Sequence, residues 1–265
     1  MTHEAPYLVD SHCHLDFEGL IEDLDGVIAR AREANVLRML AINTRLSTFE
    51  RLYGLAEGYP EICCSVGVHP HEAENEPDTG LEALLERAAR PEVVAIGESG
   101  LDYYYDNAPR DQQQINFKTH IKAAQESGLP IIVHSREAEG DTLGLLEAGL
   151  AAAPYTGVIH CFTASQAFAE AALKMGFYIS LSGIVTFKNA ADIQATAKTL
   201  PMERLLVETD SPYLAPVPVR GRPCEPAFVA HTAAFVAGLK GIEPEQLARQ
   251  TTENFYTLFS KAERL

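Results

Sequence analysis

Leu8-Val9-Asp10-Ser11-His12-Cys13-His14-Leu15 is a short apolar run that ends in two histidines separated by one residue. Alternate residues of an extended chain point to the same side, so both imidazoles leave the strand end together. That is a metal-ligand spacing. Neutral imidazole binds Zn, Fe, Co and Ni, and two rings at i and i+2 leave such a site short of ligands. Alone, the pair is equally a packed or loop-tip feature, so the rest of the chain has to supply the missing donors.

Working outward, similar apolar runs recur at near-regular intervals: Tyr7–Asp10, Leu37–Ile42, Ile62–Val66, Val93–Ile96, Ile131–His134, Gly157–His160, Tyr178–Leu181 and Leu205–Val207. Their aliphatic and β-branched content without strict alternation suits parallel strands covered on both faces. Helical patterns lie between them. Phe117, Ile121 and Ala124 share a face and stop at Gly128 before Pro130; Phe168, Ala172 and Met175 stop at Gly176. Both stops fit helix C-termini. Phe228, Thr232, Phe235 and Leu239 mark a later helix, and 245–250 and 253–258 read as two terminal ones. Eight strand-helix units without a linker or low-complexity segment predict an α/β chain folded as a (β/α)8 TIM barrel, a single domain over 1–265. An open doubly wound sheet fits less well, because no Gly-rich phosphate loop follows the first strand.

The polar residues then fall at the C-terminal strand ends. Gly97-Glu98-Ser99-Gly100-Leu101-Asp102 follows the fourth run, His134-Ser135-Arg136 the fifth, His160-Cys161-Phe162 the sixth and Glu208-Thr209-Asp210-Ser211-Pro212 the eighth. In a barrel those ends meet at one mouth, so His12, His14, Glu98, His134, His160 and Asp210 are expected to face a common centre. Each alone reads as a satisfied core group; six at matching ends do not. They exceed what one catalytic tetrahedral site uses, and two divalent ions fit better. In this reading His12, His14 and Asp210 hold one ion, His134 and His160 the other, and Glu98 bridges. Ions about 4 Å apart can activate water and clamp the attacking and leaving oxygens. Asp210 can also accept the proton of that water.

Composition narrows the partners. The 265 residues, 46% hydrophobic and 22% charged, can bury one large core. The opening residues Met1 to Pro6 carry neither a basic stretch nor an apolar run, and no segment reaches the ~18 apolar residues of a membrane span. A cytoplasmic protein without membrane attachment is expected. Five scattered cysteines, with no C-x-x-C pair, read as reduced thiols. Lys and Arg total 21 against 37 Asp and Glu, a formal charge of −16. Such a surface repels a phosphate backbone at long range, so phosphate must be attracted locally, which a metal centre can do, and a broad basic duplex-binding face is not expected. No obligate protein partner is evident.

The runs from Asp10 to Asp16, Gly97 to Tyr103, His134 to Arg136, His160 to Phe162 and Glu208 to Tyr213 resemble, in order and spacing, those of the TatD-like metal-dependent deoxyribonucleases. The resemblance extends from about Asp10 to about Phe255. It implies a TIM barrel, divalent cations and hydrolysis of nucleic-acid phosphodiesters. It assigns ligand roles to His12, His14, Glu98, His134, His160 and Asp210, with Asp210 also the base. Ser99 stands where the family often has Thr, Ala164 where Gly is frequent, and Cys224 where Asn is frequent within Arg222-Pro223-Cys224-Glu225-Pro226. These departures spare the ligands and fall on the loop that shapes substrate access.

Other polar residues carry weaker signals. His69, after the third run, can touch substrate phosphate; His71 beside it reads as a solvated loop histidine. Arg136 fits either a bidentate phosphate contact or a salt bridge to a loop carboxylate. Asp102 is expected to orient a ligand or loop, as carboxylates behind metal-bound histidines do. His120 and His231 fall within helices and read as solvent-facing. Tyr103-Tyr104-Tyr105 either stacks a base or packs on the rim. The expected function is a divalent-metal-dependent hydrolase, with Glu98 and Asp210 catalytic and His69 and Arg136 on the substrate. The expected reaction is deoxyribonuclease cleavage of DNA single strands, ends or short oligonucleotides. Alternatives are metal-dependent hydrolysis at carbon, of an aminoacyl-tRNA ester, amide or lactone, and a catalytically silent metal-binding scaffold. His and carboxylate donors leave the ion open among Zn, Mg, Mn, Co and Ni.

Overall fold

The eight apolar runs form eight strands: β1 Leu8–Cys13, β2 Val36–Ala41, β3 Ile62–Val66, β4 Val93–Asp102, β5 Ile131–Arg136, β6 Gly157–Ile159, β7 Tyr178–Leu181 and β8 Leu205–Val207. They belong to a computed structural model that describes residues 6–76 and 79–265. Residues 1–5, on which most of the reading of the opening stretch rests, lie outside that range. The strands pair in parallel in the order β1 to β8. The ring closes at its polar end: Cys13 bridges to Ser211, the His14 N–H donates to Ser211 O (2.8 Å), and the Asp210 N–H donates to His12 O (2.9 Å). Strand limits depart from the apolar runs because pairing, not hydrophobicity, ends a strand. β1 runs on through His12 to Cys13, β4 through Glu98 to Asp102, and β6 stops one residue short of His160.

Between and after the strands lie α1 Leu24–Glu33, α2 Phe49–Gly58, α3 Leu81–Ala88, α4 Arg110–Ser127, α5 Glu139–Ala152, α6 Gln166–Lys174, α7 Ala191–Thr199, α8 Val229–Lys240 and α9 Pro244–Leu258. Phe117, Ile121 and Ala124 are the buried stripe of α4, and Gly128 at φ 72° closes that helix with its N–H on Ala124 O. Burying Phe117 fully is worth about 2–3 kcal/mol. The Ser165 hydroxyl caps α6 by accepting from the Phe168 N–H at 3.2 Å. The two short terminal helices expected from sequence are one, α9. Thr251 and Thr252, which separated them, are buried; their hydroxyls donate to Leu247 O and Tyr7 O. Among the described residues no helix is long and apolar enough to cross a membrane.

Strand alternation divides the core. Leu8, Met39, Ile62, Val93, Ile131, Ile159, Ile179 and Leu205 face the helices. Val9, Leu40, Cys63, Val94, Ile132, Val158, Tyr178 and Leu206 form a second cluster, which Phe255, Tyr256, Leu258 and Phe259 join from the C-terminal helix and the residue after it. The inner cluster sits near the strand beginnings and so plugs the floor, leaving the opposite end to polar side chains. Two glycines make room there. A Cβ on Gly97 (φ 122°) would meet Ile132 O at 2.7 Å, and one on Gly100 (φ 149°) would meet His134 O at 2.0 Å. Between them β4 slips one residue against β5, pairing Ile96 with Ile131 but Ser99 with Val133. This bulge turns Glu98 into the mouth.

Candidate metal centre

Glu98 lies at the middle of the mouth, 2% exposed, and its two oxygens face different partners. Oε1 is 2.7 Å from His160 Nε2 and 3.0 Å from His134 Nδ1, and those two nitrogens are 3.4 Å from each other. Oε2 is 3.3 Å from His12 Nε2. On that second side Asp210 Oδ1 stands 3.6 Å from His12 Nε2 and 3.2 Å from His14 Nε2. The six residues marked as candidate ligands from sequence are therefore brought together, in overlapping sets: His12, Glu98 and His160; His12, His14 and Asp210; and Glu98 and His134 with His69.

The surroundings suit cations. His12 and His160 are stacked with ring centres 3.9 Å apart. Among the described residues neither nitrogen of the buried His12 ring makes a well-formed hydrogen bond, although Nε2 lies 3.3 Å from Glu98 Oε2. The other nitrogens of two candidate ligands meet carboxylates: His134 Nε2 is 3.2 Å from Asp102 Oδ2, and His160 Nδ1 is 3.4 Å from Glu208 Oε1. A carboxylate behind an imidazole fixes its tautomer and leaves the facing nitrogen as an electron-pair donor. Burial pushes the Glu98 carboxyl up, but His160, His69 and His12 outweigh it and hold the carboxyl well below its usual range. The Asp210 carboxyl is likewise held down, against burial, by His14 and His12. Both are thus anionic donors at neutral pH. Nitrogen and oxygen donors of this kind fit borderline divalent ions.

The other sequence candidates take definite places. His69 Nε2 is 3.4 Å from Glu98 Oε1, and its Nδ1 accepts the His71 N–H at 3.1 Å. With Nδ1 an acceptor, a neutral His69 carries its proton on Nε2, facing the centre. Burial lowers its pKa to about 4. His71 is a correction: it is not a free loop histidine but holds Asp102 Oδ2 at 2.9 Å and is half-buried on the cleft wall. His120 is a second correction. It is fully buried in α4, where Nε2 accepts the Val68 N–H (3.0 Å) and Nδ1 donates to Asn116 O (2.8 Å). His231 lies on α8, half-buried near Phe228. Cys224 is buried against Phe228 and its N–H donates to Pro212 O, so it braces the loop after β8 from beneath instead of lining the cleft.

Two residues escaped sequence reasoning. Glu208 is fully buried behind His160, and its Oε1 accepts the Cys161 N–H at 2.6 Å. Asp10 accepts from the Thr209 N–H (2.9 Å) and hydroxyl (2.6 Å), tying β1 to the segment that carries Asp210. A carboxylate within or directly after an apolar strand, Asp10 in β1 and Glu208 after β8, was the available signal.

Above the centre opens a cleft of about 1030 Å³. Three arginines line it. Arg45 pairs with Glu72 at 2.6 Å and Arg51 with Asp16 at 2.8 Å. Arg136 makes no ion pair among the described residues, so the loop salt bridge allowed by the sequence is not seen there. Its guanidinium lies instead over the rings of Tyr104 (4.3 Å) and Tyr105 (4.7 Å).

The family described as TatD related DNase matches residues 9–260. An uncharacterized metal-dependent hydrolase, YcfH of Escherichia coli K12, is 46% identical over 256 residues, 96% of each chain. A protein named 3'-5' ssDNA/RNA exonuclease TatD from Klebsiella pneumoniae is 36% identical over 242 residues, covering 89% of this chain and 92% of that one. The crystal structure of YJJV, a TatD homolog from Escherichia coli K12, superposes with a TM-score of 0.89 at 31% identity, covering 96% of this chain and 98% of that one. With this agreement along nearly its whole length, the chain belongs to the TatD-related DNase family of metal-dependent hydrolases.

Proposed function

We propose that residues 1–265 act as one phosphodiesterase unit that uses two divalent ions, with single-stranded DNA ends or short oligonucleotides as substrates. The observation that carries this reading is the division of Glu98, with Oε1 toward His134 and His160 and Oε2 toward His12. Divalent ions held on its two sides would supply Lewis acidity and an activated water. The chain supplies the rest. His12, His14 and Asp210 hold one side, His134 and His160 the other, and Asp102 and Glu208 fix the two outer imidazoles. Water oxygen attacks phosphorus, its proton passes to Asp210, and the P–O ester bond breaks to leave a phosphate monoester and a hydroxyl that takes its proton from solvent. Asp210 suits that task because its ligand contacts use Oδ1 and its side chain remains 16% exposed to the cleft. In this reading the His69 Nε2–H, which faces the centre 3.4 Å from Glu98 Oε1, donates to a phosphoryl oxygen. The name of the Klebsiella relative supports a nucleic-acid substrate.

The test is cleavage of single-stranded and duplex DNA by metal-loaded protein, with EDTA and Asp210→Ala as controls and an aminoacyl ester and a lactone alongside. Metal-dependent and Asp210-dependent strand cleavage is expected. Turnover confined to the ester or lactone would replace the nuclease reading with hydrolysis at carbon, and inactivity across the panel would leave a metal-binding scaffold.

A further inference from the structure

The loop after β4 carries a feature the metal chemistry does not use. Tyr104 and Tyr105 are 54% and 53% exposed, far more than packing requires of such large rings. They are nonetheless held in place. Asp102 Oδ1 accepts both the Tyr104 N–H (3.0 Å) and the Tyr105 N–H (2.9 Å), while Asp102 Oδ2 meets His134 and His71. One carboxylate thus fixes the tyrosine loop and orients a candidate ligand. The Tyr105 ring stands edge-on to His71 at 5.5 Å and lines the cleft. Tyr103, by contrast, is packed: its hydroxyl donates to Asp141 at 2.7 Å.

The opposite lip is aromatic as well. Phe17 stacks on His14 at 4.7 Å, and Tyr213, 55% exposed, meets Phe17 edge-on at 6.4 Å. In a ring ordered β1 to β8, the loops after β1 and β8 lie across the mouth from those after β4 and β5. The cleft is therefore walled by aromatic rings on two facing sides, with the metal groups between them. Charge distinguishes the sides. Glu18 and Glu22 line the cleft near Phe17, whereas Arg136, without a carboxylate partner among the described residues, lies over Tyr104 and Tyr105. An occupant that is flat, aromatic and anionic suits the tyrosine side.

Resting on the phosphodiesterase reading above, we infer that Tyr104, Tyr105 and Arg136 form a subsite for an unpaired nucleotide next to the scissile phosphate, the base stacking on a tyrosine ring and its phosphate meeting the guanidinium. Stacking on an aromatic face accepts every base, so the subsite selects strandedness and not sequence. In a duplex the same base face is covered by its neighbours, so paired ends enter only after fraying.

The experiment compares a short single strand with the same strand made abasic at the terminal nucleotides. On metal-loaded wild-type protein the base-bearing strand is expected to have about a tenfold lower KM. Tyr104→Ala/Tyr105→Ala should raise that KM about tenfold, leave kcat within about twofold and leave the abasic strand unchanged, while Tyr104→Phe/Tyr105→Phe restores wild-type values. Arg136→Gln should raise KM for both strands. Equal KM for the two strands on wild-type protein, or equal losses on both in the alanine variant, would overturn the inference. Should wild-type protein cleave neither strand, the nuclease reading fails, and binding to metal-loaded Asp210→Asn protein by fluorescence anisotropy decides the subsite separately. Tighter binding of the base-bearing strand, lost on adding Tyr105→Ala, supports it; indifference to the bases contradicts it.

Discussion

The floor and the mouth of this barrel sit on the same eight strands and carry opposite chemistry. At the floor Val9, Leu40, Ile132 and Leu206 close around Phe255 and Phe259, which are fully buried with ring centres 4.8 Å apart. At the mouth, on the same strands or the residues just beyond them, four imidazoles and two carboxylates crowd within 2.7–3.6 Å of their neighbours. Buried polar groups are costly unless something satisfies them, and among the described residues His12 has no well-formed hydrogen bond at either ring nitrogen. Apolar packing thus closes one end of the barrel, while the other gathers polar groups whose donors face one another and suit cations. Substitutions should separate accordingly.

The largest effect is expected at the mouth. Asp210→Ala should lower turnover by about 10³-fold or more, since it removes a ligand and the base together, while circular dichroism and the unfolding midpoint of metal-free protein stay near wild type. Collapse of the fold in that variant would break the division of labour. Phe255→Ala is the converse. A cavity in the floor should cost about 3–5 kcal/mol in urea denaturation, with wild-type metal content per folded chain.

Asp102→Asn probes the link between the regions of the mouth. The amide keeps an oxygen for the tyrosine loop but weakens the hold on His134, so metal affinity or turnover should drop about 10- to 100-fold without loss of stability. Unchanged metal affinity and unchanged turnover would detach Asp102 from the centre.

His120, buried in α4, makes stability depend on pH. Burial lowers its pKa to about 4, and its Nε2 accepts from Val68, so protonation would set donor against donor. The unfolded ring titrates near 6.5. As pH falls below that value the unfolded chain takes up a proton the native state refuses, so this contribution to stability declines until about pH 4 and then levels. Between pH 7 and pH 5 the loss is about 2 kcal/mol. His120→Gln, which retains an acceptor for Val68, should flatten the stability profile of metal-free protein by that amount; parallel profiles would contradict it.

The strands and the convergence of the candidate ligands on one mouth were legible because both are local: an apolar run with a donor at its C-terminal end marks itself. What was not legible is relational. The β4 bulge looked like a strand ending at Ile96, because only the pairing with β5 shows that Gly97 and Glu98 are accommodated within it. α9 looked broken at Thr251-Thr252, residues that favour turns in sequence but here are buried, with their hydroxyls bonded to backbone carbonyls. His71 and Asp102 are 31 residues apart, and no spacing announces their contact. His120 was within reach: three residues after Phe117 it falls on the buried stripe of α4, where helical spacing places it.

The most direct test of the account is the metal stoichiometry of wild-type and Glu98→Ala protein, measured by elemental analysis after equilibration with excess divalent ion and gel filtration. In the proposed arrangement Glu98 is the ligand common to both ions, so two ions per wild-type chain should drop to one or none in Glu98→Ala, with strand cleavage lost and the barrel still folded by circular dichroism. A folded Glu98→Ala protein that keeps two ions and the wild-type rate would contradict the shared bridge on which the proposed mechanism stands.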